Sequence, residues 1–370
     1  MTTTKIEWTD ETWNVIRGCS KVSDGCRNCY AMHVAARFSG AGQPYEGIAK
    51  RSPARWVGHA SLIASKLHEP LHWRRPRRVF VNSMSDLFHE SLTNEQIAAV
   101  FGVMAACPQH TFQVLTKRPK RMREWFEWLA FRGSQMWCRQ DPEHHPDPCF
   151  CMGQTYTQTG GPYDMTAVSV PMPASLTWPL PNLWLGVSIE NQETANERIP
   201  LLLDTPAAVR FISAEPLLGP LDLTEVDDGE DALDPECWGD CACPPDPGCR
   251  KQGGDGELHR RLDWVIVGGE SGPSARPCNV DWVRSVVRQC REARTPVFVK
   301  QMGAVPTTVS VNGWPNRDPF CWWWGVDDDG LRATYRPKDR KGGNPDEWPE
   351  ELRVREYPRV WQEASHGQSI

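Results

Sequence analysis

The chain has 370 residues, with 41 Lys and Arg against 47 Asp and Glu and a formal net charge of −6 at pH 7. That length suits one β/α barrel carrying insertions, and the acidic balance excludes a general nucleic-acid coat, so any basic contact surface has to be local. No apolar run reaches membrane-spanning length and the stretch from Met1 to Trp8 has no apolar signal core, so the expectation is a cytoplasmic protein without membrane contact. Fourteen cysteines in a reducing compartment argue for metal ligands over disulfides.

The first elements are a short apolar run ending at Gly18 and then Cys19, Cys26 and Cys29, followed by a helix-compatible run from Tyr30. This order reads as strand, metal loop, helix. Three thiolates with no further Cys or His nearby leave a tetrahedral zinc site one ligand short. An iron–sulfur cube tolerates that shortfall, because three Cys can hold three irons while the fourth iron stays open. Spacing alone does not separate zinc from iron–sulfur.

After a Trp- and Arg-rich connector, Val79 to Ser83 reads as strand two. Thr93 and Gln96 form a capping box for a helix whose apolar positions Ile97, Val100, Phe101 and Met104 keep helical spacing. Phe112 to Lys117 is strand three, and a helix follows through Met122, Phe126 and Leu129 until the period stops at Gly133. Strands four to seven are Leu183 to Glu190, Val209 to Pro216, Trp264 to Glu270 and Pro296 to Gln301, with helices over Ala195 to Leu203 and Val280 to Ala293. The predicted fold is thus α/β, a partial (β/α) barrel. Its parts are residues 1–132, 182–226 and 261–304, interrupted by Cys-rich insertions at 133–181 and 227–260 and closed by a Trp/Pro-rich extension at 305–370.

In β/α barrels the chemistry sits at the C-terminal ends of the strands. Here those ends are polar where the strand bodies are apolar: Arg17 to Cys19; Asn82, Ser83, Ser85 and Asp86; Thr116 and Lys117; Ser188, Glu190 and Asn191; Ser213 and Glu215; Gly269 to Ser271; Lys300 and Gln301. Lys117, Glu270 and Lys300 are the candidate catalytic residues, each lysine as an anion contact or a proton carrier. Gly268 to Gly272 is a Gly-rich turn without the spacing of a dinucleotide fingerprint or the Lys of a P-loop.

Two basic runs, Arg74 to Arg78 and Lys117 to Arg123, are interleaved with Trp73, Trp125 and Trp128. They read either as a track for a phosphate backbone or as solvated faces. Cys237, Cys241, Cys243 and Cys249 in the second insertion suit a structural zinc or an auxiliary cluster, and Cys138, His144, His145, Cys149 and Cys151 in the first supply enough donors for zinc. Cys107, Cys278 and Cys290 lie in or beside apolar helices and are expected in the core.

Lys5 to Asp10, Thr12-Trp13-Asn14, Gly18-Cys19, Gly25-Cys26 and Cys29-Tyr30-Ala31 together resemble the phage-encoded three-cysteine-motif family of the radical S-adenosylmethionine (SAM) superfamily. Most of that superfamily has three residues, not six, between the first two cysteines. The resemblance implies a [4Fe–4S] cluster on Cys19, Cys26 and Cys29 that cleaves SAM to a 5′-deoxyadenosyl radical, which then takes a hydrogen atom from the substrate. It also implies SAM contacts from Asn82, Ser83 and Asp86, although the family's usual Gly-Gly-Glu is lacking there. Further contacts come from Ser188 and Glu190, from Tyr30 toward adenine, and from Glu215 toward cofactor or substrate. The implied reaction is an isomerase or lyase step on a modified nucleotide or base in phage DNA, in the host cytoplasm, with a flavodoxin or ferredoxin type of electron donor. The competing expectation is a zinc-stabilised nucleic-acid-binding protein without radical chemistry.

Overall fold

The computed structural model describes residues 4–140, 179–226, 231–233, 261–272, 274–308, 322–326 and 333–358. Runs rich in β-branched and aromatic residues form the strands β1 (Glu11–Trp13), β2 (Ile16–Gly18), β3 (Ala49–Arg51), β4 (Ala54–Trp56), β5 (Ala60–Leu62), β6 (Arg78–Val81), β7 (Thr111–Thr116), β8 (Leu183–Ile189), β9 (Val209–Ala214), β10 (Trp264–Gly268), β11 (Cys278–Asn279), β12 (Val297–Gln301), β13 (Pro306–Thr308), β14 (Trp322–Val326) and β15 (Ala333–Arg336). The helices are α1 (Tyr30–Arg37), α2 (Asn94–Ala106), α3 (Pro119–Gln140), α4 (Gln192–Leu203) and α5 (Val280–Glu292).

Seven strands form a curled, half-barrel parallel sheet in the order β1-β6-β7-β8-β9-β10-β12. The expected α/β alternation is therefore present, and because β1 does not pair with β12 the sheet is open. Every residue of β8, β9 and β10 is buried, as parallel strands covered on both faces require. Packing divides the chain into two compact units: Met1–Val22, Cys29–Gly186 and Thr205–Ala208, and Ser23–Asn28, Val187–Asp204 and Val209–Ile370.

In the first unit β1 pairs with β6 and β6 with β7, setting Trp13 beside Val81 and Val81 beside Val114. Trp13, Val79, Val81, Phe112 and Val114 are fully buried. The predicted capping box starts α2, where Gln96 N donates to Thr93 Oγ1 (3.2 Å) and Thr93 N to Gln96 Oε1 (3.0 Å). Phe88, Phe101, Trp125 and Phe126 pack ring against ring between α2 and α3.

In the second unit β9, β10 and β12 pair in parallel, and α4 opens on an unpredicted capping box in which Thr194 N donates to Asn191 Oδ1 at 3.0 Å. Helix α5 buries Val283, Val286, Val287 and Cys290. Cys107, Cys278 and Cys290 are buried free thiols, as expected, with burial pushing them up to about 11, about 12 and about 12.

Two expectations are corrected. The run entering Cys19 is not the first sheet strand: β2 belongs to a separate antiparallel ribbon with β5, and β1, ending at Trp13, is the sheet's edge. Helix α3 continues beyond Gly133 to Gln140, because one glycine only lowers helix propensity. The extension beyond residue 304 contains strands. Strands β13, β14 and β15 join β11 in a four-stranded sheet, and Val299 N donates to Val354 O (2.9 Å) while Glu356 N donates to Val297 O (3.0 Å), covering the edge of β12. Most of both predicted insertions lies outside the described residues. Among the described residues no helix is long and apolar enough to cross a membrane.

Candidate functional site

In the first unit the loop that begins at Cys19 is held by an arginine. Thr116 ends β7 and Pro119 starts α3, so Arg118 is fixed at the C-terminal end of a sheet strand. Only 6% exposed, it donates from Nη1 to Asp86 Oδ2 (3.0 Å) and from Nε to Glu90 Oε1 (2.8 Å). Its Nη2 donates to Ser20 Oγ (2.8 Å) and Ser20 O (3.1 Å), and Nη1 also approaches Cys19 Sγ at 3.9 Å. Burial works against its charge, but Asp86, Cys19 and Glu90 outweigh it, and the guanidinium is held above its ordinary range.

Asp86 is itself oriented by Thr116 Oγ1 (2.7 Å), Lys117 N (3.1 Å) and Phe88 N (3.0 Å). Ser20 Oγ is 3.0 Å from His89 Nε2, while Ser91 N donates to Nδ1 (3.2 Å), so the neutral ring carries its proton on Nε2. Burial, and next the charge of Arg118, keep His89 below its usual pKa, which favours that neutral form.

The other sheet ends of this unit are tied together by amides. Asn82 has φ 61, in the left-handed region that Asn tolerates, and its Oδ1 accepts from Ile16 N at 2.9 Å. Its Nδ2 is buried with no hydrogen-bond partner among the described residues. Asn14, directly after β1, accepts from Ser83 Oγ (3.1 Å) and Met84 N (3.0 Å). Cys29 caps α1, and the exposed Tyr30 donates its hydroxyl to Ser83 O.

In the second unit the segment from Ser23 to Asn28 is held by carboxylates. Glu190, 1% exposed, accepts from Ser23 Oγ (2.9 Å) and from Arg198 Nη1 (3.2 Å to Oε2). The approach is close enough that a Cβ on Gly25 would lie 2.3 Å from Glu190 Oε1. Glu270 takes a two-pronged contact from Arg276 (Nε to Oε2 2.9 Å, Nη2 to Oε1 2.8 Å) and accepts from Asn28 Nδ2 at 3.1 Å. Burial pushes its carboxyl up, but the bonds and charge of Arg276 and the bond from Asn28 prevail and hold it below its ordinary value. Lys300 Nζ stands 3.0 Å from Glu215 Oε1, and Ser213 Oγ donates to Oε2 at 3.1 Å. Ser188 Oγ donates to Glu215 O (3.1 Å).

A family described as "Protein of unknown function (DUF5131)" matches residues 3–344. The chain belongs to that family. No curated protein and no solved structure matches the chain.

For this DUF5131 chain, Asn82, Ser83, Asp86, Lys117 and Tyr30 all fall in the first unit, and Ser188, Glu190, Glu215, Glu270 and Lys300 in the second. Cys19 and Cys29 belong to the first and Cys26 to the second, and all three thiols are partly exposed. Among the described residues no three or more His, Cys, Asp or Glu side chains are gathered closely enough to hold a metal ion. Cys237, Cys241, Cys243 and Cys249 lie outside the described residues, as do His144, His145, Cys149 and Cys151 and the side chain of Cys138.

The basic runs are largely used up by the chain itself. Arg77 pairs with Glu11, Arg78 with Asp10, Arg118 with Asp86 and Glu90, and Arg123 with Glu127; Arg121 donates to Asn94. Trp125 is a core residue whose Nε1 donates to Asn94 O (3.0 Å). Residue-by-residue reading missed Asn14, Arg118, Arg198 and Arg276. The position of Arg118, between the last residue of a strand and a Pro that opens a helix, was the available signal.

Proposed function

We propose that this DUF5131 protein is a radical SAM enzyme whose Cys19, Cys26 and Cys29 hold a [4Fe–4S] cluster, acting on a nucleotide or base. The observation that carries the reading is the Arg118 guanidinium, buried against Asp86 and presented to Cys19 Sγ and to both oxygens of Ser20. A fixed cation there offsets the charge of a thiolate ligand and of the cluster behind it. The donor set also fits: three partly exposed thiols on the one segment between β2 and α1.

A cluster held by Cys19, Cys26 and Cys29 would supply one-electron reduction of SAM and, through it, hydrogen-atom abstraction from the substrate. The chain's own part is placement. Arg118 and Ser20 fix the Cys19 end of the loop, and Glu190 and Glu270, each balanced by its own arginine, fix Ser23 and Asn28. Asn82 Nδ2 is a buried donor that a polar group of SAM can take. Glu270 serves as an anchor in this reading, while Lys300, paired with Glu215, is the group assigned to the substrate step.

Anaerobic reconstitution with iron and sulfide tests the proposal. Brown protein with broad visible absorbance and about four iron per chain is expected, together with reductive formation of 5′-deoxyadenosine from SAM that Cys26→Ala abolishes. Colourless protein that retains zinc alone overturns it in favour of a zinc-stabilised binding protein.

A further inference from the structure

Within the first unit, β3 and β4 form an antiparallel hairpin in which Lys50 stands directly opposite Arg55 and Arg51 opposite Ala54. Ala49 is buried, so strand alternation turns Lys50 and Arg55 toward the opposite, solvent face. Arg51 is also exposed and donates from Nη2 to Arg37 O (2.7 Å), which brings the exposed Arg37, in the last turn of α1, to the same edge. None of these four cations has an ion-pair partner among the described residues. Glu46, the one acidic residue between Arg37 and Arg55, accepts from Gly42 N at 2.7 Å.

Like charges placed directly across an antiparallel pair destabilise it. The Lys50 and Arg55 pair therefore keeps a repulsion that an external anion relieves. On the Ala49 face Trp56 packs on Tyr45 (6.3 Å between rings) and Arg17 lies over the Tyr45 ring (5.4 Å), and Phe38, directly after α1, is half exposed. The base of the hairpin reaches the cysteine loop, since the Ile48 side chain lies against Gly18, the residue before Cys19. The arginines of the two conspicuous basic runs, by contrast, mostly find carboxylates within the chain.

We propose that the exposed rim of this hairpin binds the phosphate backbone of a single-stranded nucleic acid, with Lys50 and Arg55 on one face and Arg51 and Arg37 at the edge on phosphates, and the half-exposed Phe38 offering a surface for base stacking. The inference takes up the substrate half of the function proposed above. It is tested on the full chain without its cluster, so that either can fail alone.

Fluorescence anisotropy is measured with a labelled single-stranded DNA of about 20 nucleotides, the matching duplex, and polyglutamate as competitor, from about 50 to about 200 mM salt. The single strand binds with an affinity that falls linearly with salt on logarithmic axes. Lys50→Glu with Arg55→Glu weakens it by about tenfold or more and flattens the slope by about 1.4, for two contacts at about 0.7 each. Arg74→Glu with Arg75→Glu, on the exposed part of the other basic run, leaves both unchanged. Should the charge-reversed hairpin melt early, Lys50→Ala with Arg55→Ala replaces it. Unchanged binding by the hairpin variant, equal loss in the Arg74 and Arg75 variant, preference for the duplex, or equal competition by polyglutamate overturns the proposal.

Discussion

In the first unit the Cys19 end of the loop meets a cation, whereas in the second the Ser23 to Asn28 segment meets anions. Both arrangements are buried arginine–carboxylate pairs at strand ends, used in opposite senses. Arg118 turns its outer face to Cys19 and Ser20 and is steadied from behind by Asp86. Glu190 and Glu270 turn theirs to Ser23 and Asn28 and are steadied by Arg198 and Arg276. In the proposed reading, in which the loop carries thiolates, positive charge meets a sulfur and negative charge meets neutral hydroxyl and amide donors, the pairing that electrostatics favours.

Removing the steadying partner breaks this comparison most severely where burial is deepest. Arg198→Met leaves Glu190, 1% exposed, without its counter-charge and is expected to cost about 3–5 kcal/mol in urea unfolding. Arg118→Met costs less, about 2–3 kcal/mol, because Asp86 keeps three other donors and Glu90 is open to solvent. Its larger effect falls on function: reconstituted protein should retain less iron, with a lower cluster reduction potential. An unchanged potential in Arg118→Met would remove the assigned role of the cation.

Gly25→Ala sharpens the contrast on the other side, since its Cβ would collide with Glu190 Oε1 and undock the segment at a cost of about 1–2 kcal/mol. Faster proteolysis of the loop reads this out. Thr93→Ala, which removes a cap far from either anchor, should cost about 1 kcal/mol and leave iron retention untouched.

The smallest effect concerns acid. The Glu270 carboxyl is held below its ordinary value of 4.5 in the folded chain, so its contribution is fully present above pH 4.5 and is lost as pH falls through the lowered value. Arg276→Met should flatten the fall in the urea midpoint within that window, and an equally steep fall would show that other carboxylates govern it.

The alternation of strands and helices was legible because it is written in local residue types. Runs such as Val79 to Val81 and Trp264 to Val267 are β-branched and aromatic, and α2 announces itself through Thr93, Gln96 and the spacing of Ile97, Val100 and Phe101. The polar strand ends could be placed for the same reason. Less legible was the start of the sheet, where two three-residue strands lie close together. Only pairing partners show that β1 joins β6 while β2 turns away to β5.

What the sequence settled by itself was the order of elements, the polar character of their ends and the grouping of three thiols on one loop. Which charges meet was decided by the tertiary structure. Arg118 lies in a basic run that reads equally as a phosphate track or as a solvated face, and its engagement with Ser20 spans 98 positions, while that of Ser23 with Glu190 spans 167. Periodicity carries information over a few residues, whereas a buried charge takes its counter-ion from whatever the fold brings beside it, because desolvation penalises leaving it alone.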